Sequence, residues 1–267
     1  MPQRAAQPGT GPGGTGNREA GAGCAVFRTL RKTLFGKDKA TPRNLNEAVN
    51  FEAGLIFIAV PKTGSTTVRR QVGSAGPHLI PNPHLDIQQI RDLLYTWLLR
   101  QELGTNDRFP GSAVRTDTDL RDDAARWFEG LFKFSMVRNP WARAVSLYHR
   151  KEGVRVGERM DFRSFVKNHF HASDTCRHPT LHGNQVDWLT DADGRIAVDH
   201  VAKLEDLNAE VATLAEKSNG RVHLAARTMN RNEASPSTAY RDLYDDHTRH
   251  LIATRFEKDI DLFGYTF

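Results

Sequence analysis

The chain alternates between short unbroken apolar runs and longer stretches where apolar residues return every three or four positions. Two runs stand out, 55–60 (LIFIAV) and 131–137 (LFKFSMV). Runs of this length, ended by turn residues, fit strands covered on both faces, as in a parallel α/β sheet. Helical spacing predicts a helix over 66–72. It predicts another opening at Asp86 as N-cap, running through Leu103 and closing at Gly104, with Ile87, Ile90, Leu94, Trp97 and Leu98 on its buried face. Residues 105–118 read as a polar loop. Leu120, Ala124, Trp127 and Phe128 mark the next helix. Pro140 suits a first helical turn, and that helix is expected to reach about Lys151. Asp161 caps a short helix to Phe170.

Farther on, 191–194 (DADG) reads as a turn before a strand-like 196–201, and Leu207, Val211 and Leu214 give a helix closed by Asn219 and Gly220. The last helix, 245–258, buries Leu251, Ile252 and Phe256, after which Leu262, Phe263, Tyr265 and Phe267 plug the core. The sum is a single α/β domain, a central mostly parallel sheet flanked by helices, over residues 46–267. Residues 1–45 form a tail rich in Gly, Pro, Ala and Gln at its start, with little to bury.

Charge and cysteine content narrow this only slightly. Thirty-seven Lys and Arg against 32 Asp and Glu give a net charge of +5. That suits an anionic ligand, while the lack of a long basic stripe argues against nucleic acid. The two cysteines, Cys24 and Cys176, read as free thiols of a reducing compartment. No run approaches the ~20 apolar residues that span a bilayer, and the amino terminus lacks a signal-peptide core. A cytoplasmic enzyme is the expectation; the sequence is silent on oligomeric state.

The chemistry lies just beyond the two apolar runs. Each run gives way to a turn and then a helix, which points unpaired backbone N–H groups past the carboxyl end of a strand, an anion-binding arrangement. The first carries Lys62, the second Arg138. Two such devices, each with a fixed cation, imply a ligand with two separate phosphate-like groups.

Residues 61–67 (PKTGSTT) resemble the 5′-phosphosulfate loop of sulfotransferases that use 3′-phosphoadenosine 5′-phosphosulfate (PAPS). Residues 138–148 (RNPWARAVSLY) resemble their 3′-phosphate segment, closest to bacterial members of the carbohydrate sulfotransferase group, sulfotransferase family 2. The resemblance implies that Lys62, Thr63, Gly64, Ser65, Thr66 and Thr67 hold the phosphosulfate, and that Arg138 and Ser146 hold the 3′-phosphate. Lys62 would also act on the bridging oxygen, where charge builds as the sulfuryl group leaves; fixed donors there typically supply ~3–4 kcal/mol each. The acceptor is expected to be a hydroxyl, of a glycan or glycolipid, with adenosine 3′,5′-bisphosphate (PAP) as product and no metal. The segment 230–235 (NRNEAS) resembles a family stretch that approaches the nucleotide through Arg231, Asn232 or Ser235. The segment 203–207 (KLEDL) resembles a structural one, in which Glu205 caps or pairs within the fold.

A sugar hydroxyl needs a general base, and the eleven histidines are the first candidates. His84 lies just ahead of the helix capped by Asp86, whose positive end disfavours imidazolium. It also falls in a segment resembling one of bacterial relatives. Its rival role is packing at the helix opening. His78 is the alternative base, followed by His169, His171, His178 and His182. Arg143 reads as a solvated helix residue, Trp188 as core, and Gln185 as a residue facing the acceptor. Two rival functions remain: a P-loop kinase, although Lys62 precedes Gly64 instead of following the last glycine, and a nucleotide-binding module without a base.

Overall fold

A computed structural model describes residues 44–76, 78–105, 115–149, 160–170, 183–225 and 240–267. Four strands form one sheet in the order β1-β2-β3-β4: β1 (Val49–Asn50), β2 (Leu55–Ile58), β3 (Phe132–Val137) and β4 (His200–Lys203). The edge strand β1 runs antiparallel to β2, whereas β2, β3 and β4 are mutually parallel. Leu55 pairs with Phe132 and Ile58 with Ser135; Phe134 pairs with His200 and Val137 with Lys203. All three parallel strands therefore end at one edge of the sheet. That is where α/β folds bind ligands.

The helices are α1 (Ser65–Val72), α2 (Ile87–Thr105), α3 (Asp117–Gly130), α4 (Pro140–Tyr148), α5 (Phe162–His169), α6 (Leu207–Lys217), α7 (Asp246–Arg255) and α8 (Glu257–Phe263). On one sheet face Leu55, Phe57, Phe132, Phe134 and Met136 pack with Leu207, Leu214 and Val222. Each such side chain, fully buried, is worth about 1.5–3 kcal/mol. Strand β2 is covered on both faces, as its unbroken apolar run requires. The two polar residues of β3 are satisfied internally. Ser135 donates to the Ile58 carbonyl at 2.8 Å, and Lys133 Nζ to the carbonyls of Leu131 and Phe128 at 2.9 and 3.1 Å. Helices α2 and α3 close over β1 through Phe51, whose ring lies 4.9 Å from Trp97 and 5.0 Å from Trp127.

Several boundaries move from the sequence expectation. Helix α3 opens at Asp117, inside the expected loop, because Thr116 and Asp119 form a reciprocal capping box. Asp86 and Gln89 form the equivalent pair ahead of α2, each backbone N–H donating to the other's side chain at 3.0 and 2.8 Å. The fourth strand is 200–203 instead of 196–201; Ile196 makes only a bridge to Thr190 and is partly exposed. The last helix is broken at Phe256, which is buried while its backbone leaves helical geometry. Leu251 is only half-buried, and Leu262 is 54% exposed and plugs nothing. Tyr265 is buried as expected, and Phe267 stacks edge-on with Trp141 and Tyr244.

Candidate active site

Strand β2 delivers the Lys62 loop. After Val60 the chain turns through Lys62 at φ 70° and Gly64 at φ 78°, both left-handed. Glycine tolerates this conformation; a lysine held there costs of order 1–3 kcal/mol, a strain that collects at functional sites. Turns with left-handed residues bring successive N–H groups to one side, forming anion-binding concavities. Gly64 is the N-cap of α1, and no side chain caps that helix. Thr67 N–H already donates to the Gly64 carbonyl at 3.0 Å, so the first-turn donors that α1 turns to the space beyond β2 are those of Ser65 and Thr66. Ser65 is buried, Thr67 half-buried and Thr66 exposed. The Thr63 hydroxyl is wholly buried and donates to the Val60 carbonyl at 2.9 Å, so it ties the loop to itself.

Strand β3 delivers Arg138, and here the backbone is braced from afar. Arg138 N–H donates to Gln185 Oε1 at 2.8 Å, while Gln185 Nε2 donates to the Arg138 carbonyl at 2.7 Å. The next amide, Asn139 N–H, donates to Glu205 Oε1 at 2.7 Å. Glu205 stands just beyond the end of β4, so the third parallel strand supports the segment emerging from the second. Burial raises the Glu205 carboxyl above its ordinary range, against the lowering influence of the Asn139 and Glu205 amides, the Arg138 charge and the Tyr265 hydroxyl. The Asn139 side chain caps α4, accepting from Trp141 N–H at 3.1 Å, and its amide donates to the Thr266 carbonyl at 2.8 Å. Ser146 lies in the last turn of α4, half-buried.

His84 joins the first group through its ring. Its Nδ1 lies 2.6 Å from the carbonyl oxygen of Ala59, at the end of β2. A carbonyl only accepts, so Nδ1 carries the proton, and the neutral ring has its lone pair on Nε2. Asn82 Oδ1 accepts the His84 N–H at 3.0 Å and fixes the approach. His78 is bound within its own turn instead, its Nε2 3.3 Å from Ser74 Oγ and 3.2 Å from the Ser74 carbonyl.

Residues 48–266 match the family model described as Sulfotransferase family, over most of the chain. The protein belongs to sulfotransferase family 2. It is therefore a transferase of sulfuryl groups with a hydroxyl acceptor, on the expected α/β fold. No curated protein matches this sulfotransferase, and no solved structure does.

Three expectations about the sulfotransferase's side chains are corrected. Arg143 is not solvated: it is 1% exposed, its Nε donates to the Pro61 carbonyl at 3.1 Å, and its guanidinium stacks over Phe256. Burial pushes it down to about 10, and the Asp259 charge opposes the shift. Gln185 does not face an acceptor; it is fully buried beneath Arg138. Trp188 sits half-exposed in a 3-10 turn (Val186–Trp188), outside the core. Helical spacing could have placed Arg143 inward, since it shares a face with Pro140, Ala144 and Leu147, all buried. An Asn before a helix-opening Pro is a cap signal that also went unread. Arg231, Asn232, Ser235, Cys24, Cys176 and the histidines 171, 178 and 182 lie outside the described residues, as does the His169 side chain. Among the described residues no group of three or more His, Cys, Asp or Glu could hold a metal ion, and no helix is long and apolar enough to cross a membrane.

Proposed function

We propose that this sulfotransferase takes PAPS as donor and passes its sulfuryl group to a hydroxyl of a carbohydrate or glycolipid, releasing PAP. The observation that carries the reading is the placement of two cationic strand–turn–helix segments at the same edge of adjacent parallel strands. PAPS supplies an activated sulfuryl group on a leaving group with phosphates at 5′ and 3′. The uncapped N-terminus of α1, with Lys62, Gly64 and the hydroxyls of Ser65, Thr66 and Thr67, suits the 5′ side, and the buried Thr63 hydroxyl shapes the loop. Arg138 and Ser146 suit the 3′-phosphate, with Arg231, Asn232 and Ser235 approaching the nucleotide.

His84 is the proposed base. With Nδ1–H donating to Ala59, Nε2 accepts the acceptor's proton while the ring stays in place. Lys62 stabilises the negative charge left behind, so the reading gives a metal no part. The glycan or glycolipid acceptor and a bacterial cytoplasmic setting rest on the likeness of the Arg138 segment to bacterial carbohydrate sulfotransferases.

Thermal unfolding with added nucleotides tests the donor. PAP at ~100 times its Kd should add about 2.7 kcal/mol, visible as a higher Tm, with AMP and ATP doing much less. Stabilisation by ATP with magnesium equal to that by PAP would restore the kinase. Mass spectrometry of glycan and glycolipid extracts incubated with enzyme and PAPS should find a sulfate mass increment; tight PAP binding with no product on any hydroxyl acceptor would favour a binding module.

A further inference from the structure

A buried polar chain joins the two anion segments from beneath. It starts at the Pro61 carbonyl, the residue before Lys62, which accepts from Arg143 Nε at 3.1 Å. Arg143 projects from α4, the helix that Arg138 and Asn139 lead into, and its Nη1 donates to the Gly183 carbonyl at 3.5 Å, two residues before Gln185, while the Asp259 charge from α8 favours it through space. Asp259 Oδ2 accepts from Gln185 N–H at 2.8 Å and Gln185 Nε2 at 3.1 Å, and its Oδ1 accepts from Val186 N–H at 2.9 Å. Gln185 then grips Arg138 by both its N–H and its carbonyl. Arg143 is 1% exposed, and Gln185 and Asp259 are fully buried.

We propose that Arg143, Asp259 and Gln185 are positioning residues that fix the spacing between the Lys62 loop and Arg138, so that preference for a 3′-phosphorylated nucleotide is set by side chains that never touch it. The proposal rests on the two-phosphate reading above. Its physical basis is the cost of burying an arginine and an aspartate. Buried charges gain little stability over apolar groups, and are tolerated where they are well hydrogen-bonded and fix one geometry. Here Arg143 hydrogen-bonds the Lys62 loop directly at Pro61, and Asp259 holds Gln185, which in turn holds Arg138. Misplacing a binding group by about 1 Å can cost on the order of 10²-fold, so a rigid link beneath two sites has leverage on a ligand spanning both.

Gln185→Met keeps length and volume and removes both hydrogen bonds to Arg138. Calorimetric titration should show its PAP affinity falling about tenfold or more, with AMP affinity within about threefold of wild type, so the PAP-to-AMP ratio collapses. That loss corresponds to about 1.4 kcal/mol. Adding Gln185→Met to Arg138→Ala should lower the ratio little beyond Arg138→Ala alone, because both changes act on the same interaction. Arg143→Lys should lower PAP and AMP affinity together, since it releases the loop common to both. If Gln185→Met does not fold, Asp259→Asn, of equal size, tests the same link and should shift the ratio in the same direction by less. A Gln185→Met protein with the wild-type ratio, whether or not its Tm falls, overturns the proposal and leaves the two-phosphate reading standing. Wild type that binds PAP no better than AMP overturns that reading and this proposal with it.

Discussion

The Lys62 loop and the Arg138 segment leave neighbouring strands in the same direction, yet they are built on opposite plans. The loop holds a non-glycine residue at φ 70°, opens a helix that no side chain caps, and ties itself down locally through Thr63 to Val60, three residues away. The Arg138 segment has a capped helix, a backbone clamped by Gln185 and Glu205, which are 47 and 66 positions from their partners, and an Asn139 side chain held by Thr266, 127 positions away. On the proposed reading, the difference matches two electrostatic tasks. A 3′-phosphate carries its charge throughout the reaction, so its site gains from rigid prior placement. The charge at the bridging oxygen develops only as the bond breaks, and a strained turn ahead of a helix end with no side-chain cap meets charge where it grows.

The sharpest break in this comparison comes at His84, which hangs on the carbonyl that begins the Lys62 turn. His84→Ala should lower kcat by ~10²–10⁴-fold while PAP binding, measured by titration, stays intact. The pH profile should lose its acidic limb, which reports the imidazole becoming protonated. An active His84→Ala with the same limb moves the base elsewhere. His78→Ala is the matched control and should be milder, since the His78 ring bonds Ser74 within its own turn.

The two cations should then separate by kinetic signature. Lys62→Ala is expected to lower kcat by about 10²-fold or more with PAP still bound, because its charge partner exists chiefly in the transition state. Arg138→Ala is expected to weaken PAP by ~1.5–3 kcal/mol, the scale of a charged hydrogen bond. Steady-state kinetics beside PAP titration read both. Should Lys62→Ala turn over within threefold of wild type, or Arg138→Ala bind PAP normally, the division of labour fails at that residue.

The same contrast explains what could be read from sequence. Residues 55–67 were legible because the signals that set their elements are local: an apolar run, a turn, a glycine, a helix; the contacts that Arg143 and His84 bring to Pro61 and Ala59 were not. Arg138 was legible as a charge, but its support was not. Gln185 and Asp259 are polar residues in unremarkable surroundings, and only the packing of α8 against the Val186–Trp188 turn, with Gln185 paired to the Arg138 backbone, brings them together there. Arg143 misled because arginine is rarely buried unless paired, and its partners are distant in sequence. The strand at 200–203 was displaced from 196–201 since its apolar content is low and its place is set by pairing with β3.

The smallest expected effect lies at Glu205, the carboxylate beneath the Arg138 segment. Burial dominates its environment and raises its pKa, although the Asn139 amide and the Arg138 charge pull the other way. A carboxyl raised in the folded state binds its proton more tightly there than in the unfolded chain, where the ordinary value is about 4.3. Its favourable contribution is therefore full below that value and is lost as pH rises through the folded-state pKa. Glu205→Gln keeps the size, can still accept from Asn139 N–H, and cannot ionise. Its Tm relative to wild type should climb as pH is raised from about 4 to 7, even if it starts lower because the Tyr265 contact is altered. A difference that stays flat across that range would mean the Asn139 amide and Arg138 fully offset the burial, and the support beneath Arg138 would then carry no electrostatic cost of its own.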